Sequence, residues 1–226
     1  MYAQYIKRAM DFTLSLFALI VLSPILIFLL ILGAIIMKGN PIFVQPRPGK
    51  DEKIIYLLKL KSMTDERDER GILLPDAKRL VPYGKFLRAT SLDELVSLIN
   101  IIRGDLSIVG PRPQLVRDMV FMTDEQRRRH TVRPGLTGLA QVNGRNNITW
   151  EQKFEYDLMY IDNGITFWGD VKIIWQTIWK VLKRSDTVRE GTVSDLDLGD
   201  WLMQNGEVDQ ETYQSKQAEA KALLLP

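Results

Sequence analysis

Residues 12–37 read FTLSLFALIVLSPILIFLLILGAIIM, 26 positions without a charge between Asp11 and Lys38. As one straight helix they would span about 39 Å, against a bilayer core of about 30 Å. The stretch is too long for the apolar region of a signal peptide, and no small-residue cleavage site follows it. Two features bear on how it meets a membrane. Pro24 removes a backbone hydrogen bond and kinks a helix, while Ser23 beside it can re-bond a freed carbonyl. Lys7 and Arg8 precede the stretch, and Lys38 and a basic body follow it. A span would carry one basic cluster across the membrane, against the positive-inside tendency. A re-entrant helix-break-helix keeps both ends on the cytoplasmic side. On these residues the re-entrant reading and a tilted, kinked span are balanced.

Working outward, 226 residues suffice for one compact domain plus a separate element. The chain has no cysteine and one histidine, His130, which excludes disulfides, thiolate sites and a histidine-rich zinc site. Any metal is then a hard cation held by carboxylates and substrate phosphates. The net charge of +2 hides an asymmetry. Residues 190–226 carry eight acidic and two basic side chains, so the preceding body is strongly basic. Such a body suits an anionic partner. The expected organisation is a membrane helix over 1–40, a catalytic domain over 41–189 and an acidic tail over 190–226. The expected fold class is α+β, mostly helical, with one small β-hairpin.

Gly39-Asn40-Pro41 stops the apolar helix. Apolar runs at 42–44 and 54–60, split by Pro46, Pro48 and Gly49, predict a hairpin over 42–63. Residues 64–79 are charge-dense, an exposed loop with a helical turn. Leu92, Leu95, Leu98, Ile99 and Ile102 recur at helical spacing. Gly110–Pro113 is a rigid turn, 123–131 a basic helix, and 134–147 a loop rich in glycine and asparagine. Helices follow over 149–160 and 168–183. On the second, Trp168, Trp175 and Trp179 share a side flanked by Lys172 and Lys183. That pattern fits either an interfacial helix or ordinary core. The tail shows one short helical stretch, 210–223.

The chemistry concentrates at Ser91-Leu92-Asp93-Glu94. One reading is a capping box, with Ser91 as N-cap and Glu94 three positions on, which explains both carboxylates structurally. The other uses the same geometry for catalysis. A helix start draws phosphate, and successive residues diverge by about 100°, so Asp93 and Glu94 can divide two roles. An aspartate can attack phosphorus, and a metal would offset repulsion from the phosphates. Candidate phosphate ligands are Arg112 between two prolines, Arg88 just before the dyad, Lys59 and Lys61 from the hairpin, and Arg133 and Arg145 from the glycine-rich loop. Lys7, Arg8 and Asp11 at the membrane boundary read as an anchor to lipid phosphates.

Seven segments in fixed order now carry a resemblance: KRAMD, the mid-membrane Ser-Pro, FVQPRPG, LKLKSM, RATSLDEL, NIIRGDLSIVGPRP and RRRHTVRPGLTGLAQVNGRN. From about Lys7 to Lys183 the chain resembles the small monotopic polyprenyl-phosphate phosphoglycosyltransferases, above all the short bacterial enzymes that begin protein N-glycosylation. The resemblance implies a re-entrant helix marked by Ser23 and Pro24. It implies an enzyme at the cytoplasmic face of the bacterial inner membrane, making polyprenyl-diphosphate-sugar and UMP from a UDP-sugar and polyprenyl phosphate. Asp93 would be the nucleophile and Glu94 the residue associated with Mg²⁺. Lys59, Arg88, Arg112, Arg145 and Asp157 would complete the site. An N-acetylated amino sugar is the substrate the short forms suggest, and a homodimer is allowed for. Lys61, Leu60, Val96-Ser97 and Leu139 depart from the common pattern, near nucleotide or sugar rather than the dyad.

A membrane-tethered binding protein for nucleic acid or anionic lipid is the alternative of a different class. Against nucleic acid, the basic residues alternate with proline and glycine instead of forming a stripe with stacking aromatics. An enzyme in which Asp93 is only a general base uses the same substrates and stays open.

Overall fold

Helix α1 (Lys7–Ile36) runs unbroken through Pro24 in the computed structural model, which describes residues 1–144, 148–183 and 196–225. The break expected at Ser23-Pro24 is not an interruption of the helix. Proline leaves the carbonyl of Ile20 without its amide partner, and Ser23 Oγ donates to that carbonyl at 2.7 Å. The serine therefore repairs the bond that proline removes.

After α1 come β1 (Ile42–Pro48) and β2 (Ile54–Leu60), an antiparallel hairpin in which Phe43 faces Lys59. The expected exposed loop follows, with a single turn, α2 (Asp76–Arg79), and then α3 (Pro82–Thr90). The helix expected from Ser91 is two pieces: a 3₁₀ segment, Leu92–Ser97, then α4 (Leu98–Arg103). Strand β3 (Ser107–Val109) leads to α5 (Val116–Met119) and α6 (Asp124–Arg127). The segment expected as a loop is instead β4 (Gly135–Thr137) and α7 (Leu139–Asn143), with β4 parallel to β3. Its glycines serve close backbone approach. A Cβ on Gly135 would stand 2.1 Å from the Gly110 nitrogen, and one on Gly138 would stand 2.1 Å from the Gly110 oxygen.

Helix α8 (Trp150–Asp162) starts where Thr149 caps it, Oγ accepting from the Gln152 amide at 3.3 Å. Helix α9 (Phe167–Lys183) leaves Trp168, Trp175 and Trp179 exposed, so they are not core. Beyond it lie α10 (Leu198–Gln204), unexpected from the sequence, and α11 (Gln210–Ala222).

Helix α1 lies along the rest of the molecule. Near its start, Lys7 Nζ pairs with Asp170 on α9 at 2.6 Å. Arg8 donates to the carbonyls of Ile101 and Ile102 on α4, and Asp11 accepts from Ser107 Oγ at 2.6 Å. Near its end, Leu26 and Leu29 join a core with Leu60, Tyr83, Leu87 and Val96. Tyr83 Oη donates to the Leu29 carbonyl at 2.8 Å. Each buried leucine here contributes about 1.5–3 kcal/mol. The opposite face, including Phe17, Ile20, Val21, Phe28 and Ile31, is exposed.

Candidate active site

The turn after β3 is fixed from three sides. The carbonyl of Pro111 accepts from the Gly135 amide at 2.9 Å. That of Arg112 accepts from Arg129 Nη2 at 2.6 Å, and that of Pro113 from Arg47 Nη1 at 3.1 Å. Arg112 thus projects from a backbone with little freedom. Its Nη2 reaches Glu94 Oε1 at 2.5 Å, and Lys59 Nζ reaches the same oxygen at 2.9 Å.

Lys59 is placed by the dyad segment itself. Asn100 takes the free edge of β2, accepting from the Leu58 amide at 2.9 Å and donating to the Tyr56 carbonyl at 2.8 Å. Ser97 Oγ donates to the Leu58 carbonyl at 2.5 Å. Ser97, one of the departures from the common pattern, therefore helps set the residue before Lys59.

The capping box does not form. Ser91 ends α3 in the left-handed region, φ 57°, and makes no side-chain cap. A serine held there is strained, which is frequent beside active sites. Glu94 points instead at Lys59 and Arg112, its side chain 18 % exposed. Burial pushes its carboxyl up, but the Arg112 and Lys59 charges and hydrogen bonds outweigh that and hold it well below the usual range. Arg112 is raised in return, chiefly by Glu94. Asp93 is different. Among the described residues its carboxylate makes no hydrogen bond or ion pair. Burial, then the Glu94 charge, push its carboxyl up against Lys59, Arg112 and Arg88.

A small cleft opens here, lined by Arg47, Lys59, Glu94, Ser97 and Arg112 among others. Asp93 stands beside this lining, within reach of the charges of Lys59, Arg112 and Arg88. Arg88 Nε is held by Ser62 Oγ at 3.0 Å. Arg47 was missed by sequence reasoning, although Pro46-Arg47-Pro48 repeats the proline-flanked arrangement of Pro111-Arg112-Pro113. Burial, then the Arg112 charge, push its pKa down to about 10, so it stays cationic at neutral pH. Among the described residues three lining cations face one lining carboxylate, an excess that suits a diphosphate.

Asp157 lies behind the cleft. It pairs with Arg129 at 2.6 Å, the two side chains only 2 % and 1 % exposed, and Arg129 in turn holds the Arg112 carbonyl. Arg145 lies outside the described residues. Lys61 pairs with Asp65, and Arg133 donates to the Gly104 carbonyl. His130 is buried beside Glu52, its pKa pushed down to about 4 by burial and by Arg129.

Residues 2–184 match the family described as bacterial sugar transferase. The chain belongs to this family. The transferase is 48 % identical over 179 residues to the "Uncharacterized sugar transferase EpsL" of Bacillus subtilis, covering 78 % of this chain and 87 % of that one. It is 42 % identical over 189 residues to the "UDP-glucose:undecaprenyl-phosphate glucose-1-phosphate transferase" of Klebsiella pneumoniae, covering 77 % of this chain and 39 % of that protein. It is 32 % identical over 200 residues to the "Undecaprenyl-phosphate galactose phosphotransferase" of Salmonella typhimurium, covering 80 % of this chain and 41 % of that protein. The transferase thus spans about two fifths of the length of the last two.

Proposed function

We propose that this transferase moves a sugar-1-phosphate from a UDP-sugar to undecaprenyl phosphate, giving undecaprenyl-diphosphate-sugar and UMP. The observation that carries the proposal is an aspartate, Asp93, that makes no hydrogen bond or ion pair among the described residues and stands beside a cleft walled by Arg47, Lys59 and Arg112. The names of the Klebsiella and Salmonella relatives point to the same reaction with two different sugars. A nucleic-acid surface finds no support, because many of the basic residues are committed within the protein. Arg8, Arg79, Arg127, Arg128 and Arg129 all bind carbonyls or carboxylates.

In the proposed reaction an Asp93 carboxylate oxygen attacks the β-phosphorus of the UDP-sugar. A P–O bond forms, the bond to the α–β bridging oxygen breaks, and UMP leaves with that electron pair. An oxygen of undecaprenyl phosphate then attacks the same phosphorus and frees Asp93. Arg112, Lys59 and Arg47 orient the phosphates and offset their charge.

The residues present fit Mg²⁺. Among the described residues no group of three or more carboxylates or histidines comes together. One or two carboxylates plus substrate phosphates are the usual Mg²⁺ arrangement. Among the described residues Glu94 Oε2 has only Arg112 Nη1 as a hydrogen-bond partner, at 3.5 Å, and Asp93 has none. Glu94, together with substrate phosphate oxygens, would hold the ion, which would neutralise charge developing on the phosphates.

We further propose that α1 enters and leaves the membrane on the cytoplasmic side. Its two ends are fastened to the same globular part, Lys7 and Asp11 at one end and Leu29 and Gly33 at the other. A perpendicular span would pull one set apart. The exposed tryptophans of α9 supply an interfacial face beside it. A single cysteine at Tyr5, in a chain that has none, tests this with a membrane-impermeant thiol reagent. Labelling should occur only when the cytoplasmic side is exposed, and labelling from the periplasm of intact cells would sink the topology. UMP release from a panel of UDP-sugars with undecaprenyl phosphate and Mg²⁺ tests the reaction, and release with none of them would overturn it.

A further inference from the structure

The family match ends at residue 184, and nothing in the reaction so far uses the acidic stretch beyond it. We infer that residues 197–222 form a positioning module, which docks on α5 and α8 and holds the arginine wall of the cleft in register with the diphosphate. The inference rests on the function proposed above. Two routes lead from the module to the cleft.

The first runs through Asp118, a carboxylate only 2 % exposed. Its Oδ2 accepts from the Leu115 amide at 2.9 Å and its Oδ1 from the Leu198 amide at 3.0 Å. Leu115 is two residues past Pro113, whose carbonyl Arg47 holds. Arg47 also acts by charge on Asp118. Next to this link Arg117 pairs with Asp197 at 2.5 Å. Without the module, a buried carboxylate loses one of its two amide donors, at the end of the segment that carries Arg112.

The second runs through packing. Leu198, 2 % exposed, shares a core with Met122, Trp150 and Phe154, joined by Phe121, Trp201 and Leu202. The Trp150 indole nitrogen donates to the Leu196 carbonyl at 3.2 Å. On the other side of this core the Phe154 ring lies 5.7 Å from the Arg129 guanidinium, and Arg129 holds the Arg112 carbonyl. The fit is close: a Cβ on Gly199 would stand 2.5 Å from the Phe121 ring. Tyr213 of α11 packs on that same ring and donates to Asp200 at 2.6 Å, closing α11 onto α10.

A module that merely adds stability would lower the melting temperature and leave the kcat/KM of the folded enzyme unchanged. A positioning module lowers kcat/KM of the folded enzyme, because misplacing orienting groups by about 1 Å can cost about 100-fold in rate. The test compares the full chain, a chain ending at residue 190, and Gly199→Val, each assayed for UMP release well below its unfolding midpoint. The expected result is a kcat/KM for UDP-sugar lowered about 10- to 100-fold in both variants. If the shortened chain has lost its fold by circular dichroism, Gly199→Val decides alone. An unchanged kcat/KM in a folded variant overturns this inference while the active full chain leaves the reaction standing. No UMP from the full chain would instead sink the reaction itself.

Discussion

The two carboxylates of the 3₁₀ segment share a backbone turn and differ in everything else. Glu94 faces the cleft, gripped by Arg112 and Lys59 and held anionic. Asp93 makes no hydrogen bond or ion pair among the described residues, and burial and its neighbour raise its pKa. A carboxylate saturated with cations is a poor nucleophile but a dependable fixed charge. An unpaired, desolvated one is more basic and is free to attack. The difference teaches that sequence neighbours can divide acid–base labour through the partners that surround them.

The largest effect should come from removing the free carboxylate. Asp93→Asn keeps size and shape, and UMP release should fall to background; retained turnover would break the comparison at its root. Next is Arg112→Lys. It keeps charge but loses the two-pronged contact from a turn whose carbonyls are held on three sides. Turnover should drop by about 10²–10³-fold, the range for losing one oriented donor to developing charge. Near-normal turnover would reduce Arg112 to a structural charge. Glu94→Gln should cost about 10- to 100-fold, as for lost partners at metal sites, with partial rescue at raised Mg²⁺. A silent variant would show that the Glu94 anion is dispensable.

The smallest effect is on pH dependence. Asp93 must be ionised to attack, so kcat/KM should fall as pH drops through its raised pKa, above the usual value of about 3.9. Glu94, held low, stays charged throughout that range. Because the Glu94 charge is one cause of the Asp93 shift, Glu94→Gln should move the acid limb to lower pH. A limb that stays in place would uncouple the two groups.

Much of this site was legible from residue order. Lys59 and Arg112 were singled out from the sequence, and the structure sets both against Glu94. The capping box was a fair reading of Ser91 and Glu94, but Ser91 is spent ending α3 with a positive φ, which no local pattern signals. The β3–β4 pair was illegible because each strand has three residues, too few for alternation, and its glycines look like loop. Arg47 was visible only by comparing its flanking prolines with those of Arg112. Helix α10 hid because Leu198, Trp201 and Leu202 sit in an acidic stretch whose composition reads as solvated.

Incubating the enzyme with Mg²⁺ and an accepted UDP-sugar, but no undecaprenyl phosphate, tests the central claim most directly through intact mass. The account predicts a mass increase of one phosphosugar on the wild-type chain, mapped to Asp93 and absent from Asp93→Asn. A fully active wild-type enzyme that never carries the adduct, even when quenched during turnover, would make Asp93 a general base and contradict the covalent mechanism.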